Sequence, residues 1–396
     1  MWYNASNYKK IICFAFVFLL ISCYFSNKNY CCAYAETDDL FEQLNDNTSQ
    51  IMDDIDTSDL DIFLEDSSLI EYWSFKDFVS DVLEGDYLTD YNSVTSYIKN
   101  IVLVKIKDNL RFFVYLFICV VAYEVFKSFC ENKYFDVKKS VKIIFCLMFA
   151  ILILNLFRSY YNFISSFIDN VFRFSSILFP ILIGLVTLSG SVSTASVYSS
   201  FSVFLLNTAS YIIKYVLLPL SVAIFLLSLF GSMMKNKKFD RVSEIARLVF
   251  KYIVVLFFAI FGLVSVVNVV SSVSKDGINL KLTKYALKNY VPILGGYISE
   301  GFDFLHSCSI LVKNAFGVCS IVVLFSMLVS PLVLSVVFIF CFKILSAVTG
   351  YIGDGVFSDM FNDVSKSFSN FLTVILGMFL IMFVFIFLLI VSVWVV

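Results

Sequence analysis

One histidine, His306, stands in 396 residues, and with that scarcity goes most of the proton chemistry a side chain performs near neutral pH. There is no HExxH, no paired CxxC, no P-loop, no GxSxG and no GxGxxG behind a strand. Metalloprotease, zinc-module, nucleotide-hydrolysing, hydrolase and dinucleotide-binding readings therefore all lack their residues. His306, Cys308 and Cys319 do not have the spacing of a metal site, and packing accounts for them better. Charged residues make up only 15% of the chain and balance to a net charge of -2, so no nucleic-acid partner is expected. No residue is nominated as catalytic, as a metal ligand or as binding a cofactor.

What is present is hydrocarbon. Apolar residues reach 60%, with 46 Phe, and the mean hydropathy is +0.87. The apolar runs are too long and uniform for a soluble surface, and the chain reads as an all-α, polytopic membrane protein. The near-zero net charge hides a split. Residues 36–108 hold 19 acids against four lysines, whereas 109–396 hold 12 acids against 22 Lys and Arg. An acidic head joins a basic, membrane-embedded body.

Lys9-Lys10 followed by Ile11 to Ile21 has the charged start and short apolar core of a secretory signal, and Ala33-Tyr34-Ala35 offers a cleavage site, giving a signal peptide over 1–35. Leu20-Ile21-Ser22-Cys23 also fits lipoprotein-type processing at Cys23, and an uncleaved first span is a third option. Residues 36–108 form an extracytoplasmic segment that begins as a flexible acidic leader. From Leu60 onward, Leu60, Phe63, Leu64, Ile70, Trp73, Phe78, Val79, Val82 and Leu83 recur at helical spacing, so short amphipathic helices resting on the membrane or on the body are expected. Six cysteines remain after residue 35, mostly in apolar runs, and imply no disulfide framework.

The multi-span domain, 109–396, reads as repeated hairpins. Phe112–Phe126 pairs with Val141–Phe157, Leu217–Met234 with Ile253–Val270, and Leu332–Leu345 with Phe371–Val395. Lysines and arginines around the first two connections put those loops in the cytoplasm, and residues 36–108 outside. Lys281, Lys284 and Lys288 then fall outside as well. On a helix they share one face, which suggests an interfacial helix contacting lipid headgroups or an acidic partner.

The four prolines fall into two pairs. Pro180 opens Pro-Ile-Leu-Ile-Gly184, Pro292 opens Pro-Ile-Leu-Gly295-Gly296, and Pro219 and Pro331 each follow 39 residues later. This suggests internal repeats over about 130–234 and 236–345, with the two Pro-Ile-Leu elements bending helices and Gly184, Gly295 and Gly296 permitting close packing. The small, polar stretch Gly190–Ser196 suggests a helix break, either between half-helices meeting at mid-depth or between ordinary tilted spans. Glu124, Lys214, Lys313 and Lys343 are ionisable groups near span ends, where snorkelling explains them, and Glu124 can reach Lys127. They make no chain of intramembrane carboxylates, so an ion-coupled pump has little support.

The second half of the chain resembles the stage III sporulation protein AE family. The likeness is carried by Leu206-Asn207-Thr208-Ala209-Ser210 with Leu217-Leu218-Pro219-Leu220, by Asp276-Gly277-Ile278, by Asn289-Tyr290-Val291-Pro292-Ile293-Leu294-Gly295 leading to Gly301-Phe302-Asp303, and by Leu311-Val312-Lys313-Asn314-Ala315-Phe316-Gly317. The resemblance implies a non-enzymatic, mother-cell membrane component of the channel that joins mother cell and forespore. Its partners would be other stage III sporulation membrane proteins and the bilayer, with a homo-oligomer open. The alternatives are a stand-alone transporter with a midplane site at the two Pro-Ile-Leu elements, and an assembly scaffold that conducts nothing.

Overall fold

Lipid offers the backbone no hydrogen bonds, so a segment that crosses it must satisfy its own N–H and C=O groups. Among the described residues this chain does so with helices and no strand. The computed structural model describes residues 48–66, 74–84, 91–130, 135–234, 237–290, 295–352 and 355–392. The signal sequence, the Cys23 site, the acidic leader to residue 47, Ile70, Trp73 and Pro292 lie outside them. In chain order the helices are α1 (Ser58–Asp66), α2 (Phe75–Glu84), α3 (Tyr91–Cys130), α4 (Phe135–Leu188), α5 (Val192–Ile212), α6 (Leu218–Met234), α7 (Lys237–Tyr290), α8 (Gly295–Ile352) and α9 (Gly355–Val391). Six stretches on these helices are long and apolar enough to cross a membrane: Asn109–Phe129, Ser140–Leu188, Val192–Met234, Arg241–Ser265, Asp303–Tyr351 and Gly355–Val391. That is the layout of a multi-pass α-helical membrane protein.

The helices are far longer than hairpin spans. α4 and α7 each run for 54 residues. At ~1.5 Å per residue that is about 80 Å, against a hydrocarbon core of about 30 Å. α9 is the axis. Half of its most apolar window is buried, and aromatic side chains meet along it level by level. Near its start Phe357 takes the edges of Tyr123 and Phe149, at 4.6 and 5.1 Å between ring centroids. Midway, Phe368 and Phe371 meet Tyr160 and Phe157, and Phe157 stacks on Phe225 at 3.8 Å. Higher, Phe385 lies against Phe179, Tyr198 and Phe201. The phenylalanine richness is thus spent on a core of large, rigid rings, each burying more area than an aliphatic residue.

The three expected hairpin turns fall between α3 and α4, α6 and α7, and α8 and α9. They gather at one end of the bundle: Tyr123 and Phe145 meet there with Phe357, and Arg247 of α7 donates to Ser228 of α6 (2.7 Å) and to the Asp363 carbonyl (3.4 Å). The amphipathic helices before the body also form, and they rest on it. Phe63 of α1 packs on Phe174 and under the Arg173 guanidinium, Phe75 of α2 packs on Phe316, and the Phe75 N–H donates to Asp61 (2.6 Å), tying the two helices together.

Several expectations give way. Val141–Phe157 does not stand alone as a hairpin arm, because α4 runs unbroken from Phe135 through Pro180 to Leu188. No unwound backbone therefore opens at the first Pro-Ile-Leu element, which leaves a midplane site there unsupported. Pro180 and Gly184 are both exposed, and a Cβ at Gly184 would meet nothing within 4 Å, so within this chain they seat no neighbouring helix. Pro219 is exposed while Pro331 is buried inside α8, so the paired prolines do not share an environment. Gly295 and Gly296 are the first residues of α8. Pro219 leaves its mark next door: lacking an N–H and crowding the Tyr215 carbonyl, it follows a five-residue π turn, Ile213–Leu217. Finally, no separate interfacial helix carries Lys281, Lys284 and Lys288, since α7 continues straight from its apolar stretch to Tyr290.

Candidate functional site

A helix that ends inside a protein leaves unpaired N–H groups at its start and unpaired carbonyls at its finish. Opposite the hairpin turns, three such ends lie close together, and side chains from two other helices complete them. The first is the end of α4. Gly190 adopts φ 76°, where a Cβ is disfavoured, and its N–H turns back to the Thr187 carbonyl. His306 of α8 lies 2.6 Å from the Ser189 carbonyl through Nδ1. A carbonyl only accepts, so Nδ1 carries the proton in this contact.

The second end is the start of α5. Its cap residue, Ser191, makes no side-chain capping bond. The acceptor comes instead from α7: Asp276, buried to 2% exposure, takes the Ser193 N–H on Oδ1 at 2.9 Å and the Thr194 N–H on Oδ2 at 2.7 Å. A carboxylate here meets two otherwise orphaned donors and the positive end of the helix dipole, which is what an N-cap does when it is supplied from elsewhere in the chain.

The third end is the finish of α9. Lys313 of α8 is fully buried and donates to the Leu389 and Ile390 carbonyls at 3.3 and 2.7 Å. One turn on, Gly317 lets the helices touch, since a Cβ there would fall within 2.6 Å of Ile390 Cδ1 and closer still to Cγ1. Tyr198 of α5 reaches the Leu388 carbonyl at 3.5 Å. Lys313 does not snorkel as its place near a span end suggests. It is held inward by two carbonyls of the last turn of α9.

The cluster fastens; it holds no nucleophile set against a base. Among the described residues no three His, Cys, Asp or Glu side chains gather in a metal-binding arrangement. Of the other ionisable candidates, Glu124 pairs with Lys127 at 3.1 Å as its spacing suggests, Lys214 leaves the π turn to pair with Asp169 on α4 at 2.5 Å, and Lys343 is exposed. Lys281 is exposed on α7. Asp276 and Gly317 escaped nomination from the sequence as sites. Both lie in stretches on which the resemblance rests, Asp276-Gly277-Ile278 and Lys313-Asn314-Ala315-Phe316-Gly317.

Comparison with known proteins places these motifs. The curated stage III sporulation protein AE of Bacillus subtilis (strain 168) is 26% identical over 238 residues, which is 60% of this chain and 59% of that protein's length. No solved structure matches. The family model for Stage III sporulation protein AE (spore_III_AE) matches residues 73–393, from the segment preceding α2 to the C-terminal end of α9. The chain belongs to the stage III sporulation protein AE family.

Proposed function

We propose that the chain is a non-enzymatic membrane subunit of the channel complex that links mother cell and forespore, working in the mother-cell membrane beside other stage III sporulation membrane proteins. The family match over residues 73–393 carries this reading, and six helices of membrane-crossing length are consistent with it. The hairpin turns near Lys138 and Asn236 face the cytoplasm, and the segment before α3 lies on the other side, bound for export by a signal over 1–35. Lys281, Lys284 and Lys288 contact headgroups or a partner at the far end of α7. The membrane body is a duplicated unit. In support, Phe135 and Lys237 start α4 and α7 while Leu188 and Tyr290 end them, an offset of 102 at both ends, and each precedes a long apolar stretch with one proline, Val192–Met234 with Pro219 and Asp303–Tyr351 with Pro331. The repeat therefore follows the helix ends rather than the proline spacing.

The test is deletion in the native host with an affinity-tagged copy returned. The deletion strain should complete engulfment and then lose late forespore gene expression, and the tagged chain should co-purify with other stage III sporulation membrane proteins. Normal forespore expression without the chain would overturn the proposal. Co-purification with no defect in solute passage would favour the scaffold reading.

A further inference from the structure

The exposed faces of α4 and α7 differ at the same height on the bundle. Both helices run in the direction of α9 and pack on it, which allows their levels to be compared. On α7, Arg247 contacts Asp363 and Ser367, Phe258 faces Gly377, and Phe261 meets Phe385 through Phe201. On α4, Phe149 contacts Phe361, Phe157 contacts Phe371 and Phe179 contacts Phe385. The α9 segment 361–385 thus runs alongside both α7 and α4.

Over that range α7 turns Val255, Leu256, Ile260, Leu263, Val264 and Val267 outward. From Val255 to Val267 they make an apolar band about 18 Å tall, and below it the exposed Lys251 separates this band from Leu248 and Ile245. α4 behaves so only at its base, through Ile143, Ile144, Leu147 and Ile151. Above Ile151 its outward positions become Asn155, Ser159, Asn162, Ser166, Asp169 and Arg173, with Arg158, Asn170 and Ser176 beside them. Along α4, described throughout this stretch, no large apolar side chain is exposed between Ile151 and Leu188. The steps of three and four residues keep this stripe on one face. Asp169 is met by Lys214 of the π turn and Arg173 lies over Phe63 of α1, while Asn155, Arg158, Asn162 and Asn170 stand exposed on the same side, where polar and charged groups would be costly in lipid.

A second observation points to the same side. α1 lies on Phe174 and Arg173 in the upper part of the same range, and α2 lies on Phe316 and the Cys319 thiol, just beyond it toward the level of Ile390. Asp59 and Glu65 of α1 and Asp77 of α2 are exposed there. Helices with that outer face cannot lie against acyl chains.

We propose that the polar face of α4 from Asn155 to Ser176 borders a water-filled passage at the depth where α7 faces lipid, with α1 and α2 at its edge. The passage suits hydrophilic solutes, since amides, hydroxyls and charges of both signs line it. Calling it a passage rests on the channel reading above, whereas its wetness does not, and the two fail in different experiments.

The experiment places single cysteines at Ser159, Ser166 and Ser176 on α4 and at Leu256, Ile260 and Leu263 on α7. The full-length chain, its own cysteines replaced, is expressed in sporulating cells, and a charged methanethiosulfonate is given access to both membrane faces. The α4 positions should react at least about tenfold faster than the α7 positions, because the thiolate that attacks forms in water and not in hydrocarbon. Fast labelling of both sets would show that this whole level stands in water, and slow labelling of α4 would show the stripe covered by protein; either overturns the proposal. If cysteine removal prevents accumulation, the same six positions are introduced into the native chain with the unmodified chain as blank. Cys119, Cys146, Cys308, Cys319 and Cys341 are buried or half-buried, and the blank corrects for labelling at the other native cysteines.

Discussion

The two ends of the bundle hold together by different means. At the turn end, α3 and α4, α6 and α7, and α8 and α9 are sequence neighbours, and the hairpins meet one another mainly through aromatic rings such as Tyr123 and Phe357, with the Arg247 bond to the Asp363 carbonyl added. At the opposite end the fastening contacts cross long stretches of chain: 83 residues from Asp276 to Ser193, 117 from His306 to Ser189 and 77 from Lys313 to Ile390. Buried helix ends in an apolar body have no water to complete them, so a few polar residues bear a duty that is spread over many rings at the turn end. The difference shows where the body is sensitive to single changes.

The largest expected effect uses glycine to break this comparison. Gly317→Leu drives a side chain into Ile390 and should destabilise the purified, detergent-solubilised protein by about 1–3 kcal/mol or more, with reduced accumulation in the membrane. Gly184→Leu enters open space and should change stability by less than about 0.5 kcal/mol. Equal melting temperatures for the two variants would remove the close contact at Gly317 as a stabilising feature.

A smaller effect sharpens the contrast between ends. Asp276→Ala leaves the Ser193 and Thr194 N–H groups without their acceptor and should cost about 1–3 kcal/mol, with Asp276→Asn in between because an amide oxygen accepts but carries no charge. Glu124→Gln at the turn end loses an ion pair within one helix and should cost under about 1 kcal/mol. Thermal unfolding of the three variants side by side decides it; a Glu124→Gln loss as large as that of Asp276→Ala would erase the distinction.

The smallest effect lies on the exposed N-terminal side. The Asp56 carboxylate accepts from the Ser58 hydroxyl and N–H at the start of α1, which holds it below its ordinary value of 3.8. A lowered folded-state pKa means that its contribution is complete above 3.8 and is lost as pH falls through the lowered value. Proteolysis of α1 should therefore be flat from neutral pH down to mild acid and rise below that, and Asp56→Ala should remove this rise. An unchanged rise in the variant would assign the acid sensitivity to other carboxylates.

The sequence by itself determined the class, the hairpins and the helices that rest on the body. Long apolar runs have one stable answer in lipid, and the 3.6-residue recurrence of Leu60, Phe63, Leu64 and Val79 marks the face that α1 and α2 bury. It also marked the break at Gly190, where small polar residues interrupt hydrocarbon. Tertiary structure decided the rest. Whether Pro180 interrupts a helix depends on how its neighbours tolerate the missing hydrogen bond, and here α4 continues through it. Whether a lysine turns inward depends on whether acceptors lie within its reach, as the Leu389 and Ile390 carbonyls do for the buried Lys313, while Lys343 is exposed. Asp276 caps a helix that begins 84 residues before it, a pairing no local pattern encodes, because the need for a cap and the residue that meets it belong to different parts of the chain.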